Sequence, residues 1–454
     1  MKAYIGNKII ATATNQLLDY CENKLTIDNP DYIKKERLGL WIGKTPKKIR
    51  LYEVRGEDLI LPFGCARGIW NLLNKHDKEY DFTGAGIKIE GELPLYDYQE
   101  EAVEQAMQYK NGVLVSAAGS GKTQMGIEII RRIGQKALWI THTSDLLSQS
   151  KKRAEQYLKC KMGTITEGKV DIQDITFATV QTMCNLDLDS LKHEFSVVIV
   201  DECHRVCSSP TKLTMFGKVI NALASRYKIG LTATSHRSDG MIQSMYALLG
   251  DIFHVVPASA TADKTIKAKI KTINTGFKLD RNSEAIDTDG TIIFAKLINE
   301  ICFDESRNEF IAEYIKQCRN ESVLVLSDRL GQLRDLKAIV GHGVMIDGTM
   351  TSKKGKSKRE KAIKDMQEGK EKVLYASFNL AKEGLDIPCL TRLILASPKK
   401  DYAVIVQSVG RIERKTERKK EAIVYDFLDN LGICNSMYNS RKRVYKKNNN
   451  IILD

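Results

Sequence analysis

Residues 116–123 read Ser-Ala-Ala-Gly-Ser-Gly-Lys-Thr, between an apolar run at Val113–Val115 and an amphipathic run at 124–133. Few features constrain a fold as tightly. A Gly-rich turn of this length aims successive backbone N–H groups at a phosphate only when it joins a strand to the first turn of a helix. The segment is a phosphate-binding loop with Ser116 where the strict pattern has its first Gly. The backbone of Gly119, Ser120 and Gly121 is expected to cradle the phosphates. Lys122 reaches the β and γ phosphates, and the Thr123 hydroxyl binds Mg²⁺. ATP and Mg²⁺ are therefore the expected ligands.

The flanking sequence supplies the rest of the architecture. Short, nearly continuous apolar runs recur at 137–140, 175–178, 197–200 and 229–231, and again at 323–326, 373–376, 393–396 and 423–427. Runs of this kind suit parallel strands buried on both faces, with helices as crossovers. The expected class is α/β, with two tandem parallel-sheet domains. The boundaries expected are 91–258 and 259–436, after an accessory, DNA-binding domain at 1–90 and before a basic tail at 437–454. The stretch 256–290 loses strand regularity and marks a junction between the two domains.

The run Val197–Val200 ends in Asp201-Glu202. A carboxylate at a strand tip can hold Mg²⁺, and its neighbour can polarise an attacking water. Asp201 is assigned the first role and Glu202 the second, so the reaction expected is hydrolysis. An acidic pair after a strand also serves as a helix cap, and the phosphate loop upstream favours the catalytic reading.

Three further segments carry a resemblance. Asp201-Glu-Cys-His204, Thr232-Ala-Thr234 and Gln407-Ser-Val-Gly-Arg411-Ile-Glu-Arg414 occur in that order. They resemble motifs II, III and VI of superfamily 2 helicases, over a span from Leu95 to Asp429. The resemblance implies two RecA-like domains with one ATP between them. It also implies roles by position. Gln99 would read adenine. Thr141 and Thr143, then Thr179 and Gln181, would touch the nucleic-acid backbone, as would Arg237. Thr232 and Thr234 would couple hydrolysis to movement, with His204 and Gln407 forming a contact across the domains. Gly384 and Asp386 would sit near the nucleotide, and Arg411 and Arg414 would act as arginine fingers. A basic helix face gripping nucleic acid is the other reading of that last pair, and Arg418, Lys419 and Lys420 fit it better. Ser235 stands where such families often have Pro.

The chain carries a formal charge of +13, which fits a polyanionic partner. The surplus is spread over 44–50, 353–359, 415–420 and 441–447, as suits a motor tracking a phosphate backbone. The Gly230–Thr234 and Arg237–Gly240 segments, and Asp347-Gly348 before a Lys-rich run, are similar to the branch containing XPB, type III restriction subunits and UvsW-type phage branch-migration helicases. The implied partner is branched DNA, forks or junctions, bound by a monomer. A DExH RNA helicase and the motor of a restriction-type nuclease remain the alternatives. Ten Cys are scattered as single residues. They are expected as reduced thiols in a cytoplasmic compartment, without a structural metal.

Overall fold

The computed structural model describes the chain apart from residues 83, 118, 207–213, 235–240, 258, 261–264, 281, 288, 349, 351–352, 383–384, 386, 418 and 454. The side chains at 353, 382 and 403 also lie outside the description. Two compact units result, Met1–Ala260 and Thr261–Asp454.

The first unit opens with β1 (Lys2–Ile5) and β2 (Lys8–Thr12), paired antiparallel across a Gly6-Asn7 turn. Alternation sends Ala3, Ile5, Ile9 and Ala11 inward. Then come α1 (Asn15–Lys24), β3 (Thr26–Asp28), α2 (Pro30–Arg37), β4 (Lys48–Arg50), β5 (Glu53–Arg55), β6 (Asp58–Pro62), α3 (Ala66–Ile69) and β7 (Asp77–Tyr80). The sheet order is β5-β6-β2-β1-β7, while β3 and β4 form a separate ribbon.

A larger sheet follows within the same unit. It is built from β9 (Asn111–Val115), β10 (Ala137–Thr141), β12 (Met162–Thr166), β13 (Lys169–Asp171), β14 (Ile175–Thr179), β15 (Val197–Asp201), β16 (Tyr227–Thr232) and β17 (Ile252–Val255). A small ribbon pairs β8 (Glu90–Gly91) with β11 (Leu158–Lys159). The order of the large sheet is β13-β12-β14-β10-β15-β16-β9-β17. Its pairs are parallel except β12–β13. Every residue of β10, β14 and β15 is buried, as the apolar runs require. The crossovers use α4 (Asp97–Tyr109), α5 (Lys122–Ile133), α6 (Ser144–Tyr157), α7 (Val180–Met183), α8 (Met215–Ala222) and α9 (Ile242–Leu249).

The small sheet has its own core, which also takes in Ala247 of α9. Gly64 makes that approach possible: a Cβ there would stand 2.4 Å from the Tyr246 carbonyl oxygen. Asn7 donates to the Asn221 carbonyl at 2.9 Å, and Lys192 pairs with Asp81 at 2.7 Å. Lys228 of β16 is wholly buried under this contact, 4.9 Å from the Phe63 ring centroid.

The second unit is an all-parallel sheet with order β20-β21-β19-β22-β23-β18-β24. Its strands are β18 (Lys269–Asn274), β19 (Val323–Ser327), β20 (Val344–Ile346), β21 (Val373–Ser377), β22 (Arg392–Leu395), β23 (Ile423–Leu428) and β24 (Ile451–Leu453). Its helices are α10 (Phe294–Phe303), α11 (Glu305–Gln317), α12 (Leu330–Val340), α13 (Lys353–Gln367), α14 (Phe378–Lys382), α15 (Tyr402–Ile412) and α16 (Gly432–Lys447). The division between the two units falls within 256–290, and that stretch also contains β18, a strand flanked on both sides. Residues 437–454 are not a tail. They form most of α16 and the edge strand β24, which pairs with β18 from Lys269↔Ile451 onward. The charge that suggested a tail has a structural use: Arg441 is buried and holds Asp426 by two hydrogen bonds of 2.9 and 2.7 Å, joined by the Tyr445 hydroxyl.

Candidate nucleotide-binding site

In the large sheet, five sequence motifs meet the same edge. Ser116, Thr141, Thr179, Asp201 and Thr232 stand at or just past the carboxyl ends of β9, β10, β14, β15 and β16. This is the edge where open parallel sheets bind ligands.

The phosphate loop follows β9. Gly119 and Gly121 both adopt φ of +82°, the left-handed region that only Gly enters without strain. Gly121 has a second reason: a Cβ would lie 2.3 Å from the Gln99 amide nitrogen. Gln99 itself is 2% exposed. Its Oε1 accepts from the Tyr96 backbone N–H at 3.0 Å, and its Nε2 donates to the Ser120 carbonyl at 2.8 Å. The Tyr98 hydroxyl donates to the same carbonyl at 3.1 Å. The structure thus places Gln99 as a brace beneath the loop. Ser116 explains its departure from the strict pattern. Its hydroxyl bonds the Ser120 hydroxyl, and its N–H donates to the Thr232 carbonyl at 2.9 Å. A Gly at this position would lose the first of these links. Lys122 begins α5, with its ammonium 3.2 Å from the Ser116 and Ala117 carbonyls, and Thr123 follows in the same turn.

Asp201 is 7% exposed. Burial, then the neighbouring Glu202 carboxylate, push its pKa up to about 7, against the opposing pull of Lys122 and the Glu202 N–H. Such a carboxyl is poised for a cation, which would remove the penalty of burying its charge. Glu202 sits at φ 52°, ψ 49°, a costly conformation for a residue with a Cβ. Its N–H donates to Asp201 at 3.0 Å. The strained turn points the two adjacent carboxylates differently: Asp201 inward, Glu202 about one-fifth exposed.

From there a short relay crosses to β16. His204 Nδ1 lies 3.3 Å from Glu202 and 3.2 Å from the Thr232 hydroxyl. Thr232 donates to the Thr234 carbonyl at 3.0 Å and accepts the Thr234 N–H at 3.1 Å. Gly230 enters the sequence reading only as the start of a motif, yet it has a packing role: a Cβ there would strike the Cys203 sulfur at 2.6 Å. Its place two residues before Thr232 was the available signal.

The residues expected to touch nucleic acid are only partly available. Thr141 is wholly buried and donates to the Thr143 carbonyl at 3.1 Å. The Thr143 hydroxyl caps α6 by accepting the Leu146 N–H at 3.3 Å. The Thr179 hydroxyl bonds Thr182 at 3.0 Å, and Gln181 donates to the His142 carbonyl at 2.8 Å, tying the two segments together. Arg237 lies outside the described residues.

In the second unit, Gln407 and Arg411 lie on α15, and Gln407 is buried. Arg411 Nε donates to the Ala381 carbonyl at 3.1 Å. Gly384 and Asp386, just beyond, lie outside the described residues. The helix ends at Ile412, so Arg414 does not share a helical face with Arg411. Its backbone pairs with Thr265 in an isolated antiparallel β-bridge. Lys419 is no surface cation: it is 7% exposed, donates to the Arg414 carbonyl at 2.9 Å, and burial lowers its pKa to about 8.

Two family models match the chain. The "Type III restriction enzyme, res subunit" family (ResIII) matches residues 92–237, and the "Helicase conserved C-terminal domain" family (Helicase_C) matches 291–416. The DNA 3'-5' translocase XPB2 of Sulfurisphaera tokodaii is 26% identical over 379 residues, covering 75% of this chain and 82% of its own. A helicase of Escherichia phage T5 is 26% identical over 461 residues, covering 99% and 95%. Among solved structures, yeast Dbp5 bound to RNA and ADP BeF3 superposes with a TM-score of 0.57 at 12% identity, covering 87% of this chain and 94% of the other. The restriction-modification enzyme LlaBIII bound to DNA gives 0.56 at 18%, covering 78% and 30%.

Proposed function

The chain belongs to the superfamily 2 helicases, ATP-hydrolysing motors of the ResIII and XPB kind, and on that premise we propose that it acts on DNA, unwinding or branch-migrating forks and four-way junctions. The observation that carries the chemistry is the single sheet edge holding Lys122, Asp201, Glu202 and Thr232. The support for DNA is the similarity to XPB2, a DNA translocase, and to a phage helicase over nearly the whole chain.

Lys122 and the N–H groups of the loop bind the β and γ phosphates. Thr123 and the buried Asp201 would hold Mg²⁺. Bound there, Mg²⁺ would offset charge on the phosphate oxygens. Glu202 takes a proton from the attacking water, and Arg411 neutralises charge developing on the γ-phosphate. Arg414 is proposed as a second finger, working from an irregular segment rather than a shared helical face. Gln99 contributes by fixing the loop, with adenine contact left to its second amide hydrogen. His204, Thr232 and Thr234 carry the state of the γ-phosphate to the neighbouring strand, and a part in the same coupling is proposed for Gln407 on the resemblance. A contact with the nucleotide is the role proposed for Gly384 and Asp386, on the resemblance alone. Phosphate contact near β10 comes from backbone N–H groups at the start of α6, since the Thr141 hydroxyl is buried.

ATP turnover tests the reading directly. Forked or four-way DNA should stimulate hydrolysis at least tenfold over protein alone. Stimulation by RNA and not by DNA would replace the proposal with an RNA helicase.

A further inference from the structure

Between β3 and β4 the chain makes an excursion whose chemistry the motor does not use. Residues 30–50 hold seven Lys and Arg against two carboxylates. At its tip Trp41 is 86% exposed, beside Leu38 and Leu40, both more than half exposed. So large an apolar group is rarely left in water without a use.

The excursion is built rather than slack. Asn29 is wholly buried at its base. Its Oδ1 accepts from the Asp31 N–H at 3.0 Å, its Nδ2 donates to the Pro46 carbonyl at 2.7 Å, and its own N–H donates to the Lys47 carbonyl at 3.0 Å. Lys35 donates to the Thr45 hydroxyl at 2.7 Å. The Trp41 ring lies against Gly43, at φ +55°, where a Cβ would come within 2.7 Å of it. Ile27 and Ile49 seat the ribbon on the hydrophobic cluster that contains Val180 and Met183 of α7. The base of the excursion is thus anchored on the first unit's core.

The charges sort into two kinds. Lys48 and Arg50 are paired, with Asp28 at 2.9 Å and Glu22 at 3.2 Å. Lys34, Arg37, Lys44 and Lys47 are exposed and make no ion pair with any described residue. Cations around an exposed indole match a nucleic acid, which offers phosphates and unstacked base faces together. Two copies of a loop this basic would repel each other, which disfavours self-association.

We propose that this excursion is a base-stacking wedge, in which Trp41 packs on the base exposed where single strand meets duplex. Lys34, Arg37, Lys44 and Lys47 hold the flanking phosphates. The inference rests on the nucleic-acid reading above and adds a second contact point, away from the nucleotide site.

The test uses the full chain, a forked DNA, and the variants Trp41→Ala, Trp41→Phe and Lys44→Gln/Lys47→Gln. Circular dichroism melts confirm that each folds. Of the three Trp, Trp139 is buried and Trp70 is 43% exposed, so Trp41 should dominate fluorescence quenching by the fork. Trp41→Ala should lose most of that quenching and bind the fork about tenfold more weakly, with the salt dependence unchanged. Trp41→Phe should recover most of the affinity. The Lys pair should lower the slope of log K against log salt by about two. Fork affinity unchanged in Trp41→Ala would overturn the wedge. So would a change in molecular mass on light scattering without a change in fork binding, which would assign the tip to protein contact. A wild-type chain that binds no nucleic acid would overturn the broader reading instead.

Discussion

Asp201 and Glu202 are adjacent carboxylates that the fold treats in opposite ways, and the proposed chemistry of the site rests on this asymmetry. Asp201 ends a strand buried along its whole length, so its charge is costly until a cation arrives. Glu202, on a left-handed turn, keeps partial contact with water and with His204. Glu202→Gln keeps the shape and removes the proposed base. It should bind ATP with near-normal affinity while turnover falls at least a hundredfold, as read by nucleotide titration beside a phosphate-release assay. Asp201 also predicts a pH effect on stability. Its folded pKa, about 7, lies above the ordinary 3.8. The folded state therefore holds the proton more tightly, and this stabilisation is complete below pH 4 and lost as pH rises to 7. Without nucleotide or Mg²⁺, Asp201→Asn should flatten that dependence. It should stabilise the first unit at pH 8 by on the order of a few kcal/mol, measured by urea unfolding across pH. The roles expected of Lys122 and Thr123 followed from residue type and spacing. The brace formed by Gln99 did not, because the Ser120 carbonyl it binds is a backbone atom that no motif names.

Elements divide by how their burial is patterned. Strands buried on both faces write themselves as apolar runs, and β9, β10, β14, β15, β16, β19, β21, β22 and β23 all fall where such runs lie. Strands with one wetter face do not. β18 reads Lys-Ile-Lys-Thr-Ile-Asn, and its alternation is easily taken for a linker. β24 is three residues long at a sheet edge. The helix before it reads as a solvated basic segment because a buried Arg looks like any other Arg until its partner is seen. That partner is Asp426, on β23. Arg441→Ala would leave this carboxylate in the core of the second sheet with only Tyr445 to answer it. The cost should be about 3–5 kcal/mol, seen as a lower urea midpoint for the second unit. An unchanged midpoint would mean that α16 contributes little. The same logic applies to Lys419, whose charge suggested a nucleic-acid contact but whose ammonium is spent on the Arg414 carbonyl.

At the scale of the molecule, the N-terminal sheet is more than an appendage. It shares a core with α9 and buries Lys228 of the motor sheet, so it moves with the first unit. No helix among the described residues is long and apolar enough to cross a membrane. The surplus of +13 also reads differently once its members are placed. Lys122 and Arg411 are the cations proposed for ATP, while Arg441 and Lys419 are buried in the second unit's own fold. The free cations of residues 34–47 remain for a polyanion. That distribution, with the nucleotide-binding edge, is what the proposed DNA motor requires. The most direct test compares strand separation on a fork, a four-way junction and a tailed duplex of identical sequence, with ATP and Mg²⁺ present. The account predicts that fork and junction are resolved at least several times faster than the tailed duplex. Equal rates on all three, or separation of the tailed duplex alone, would contradict it.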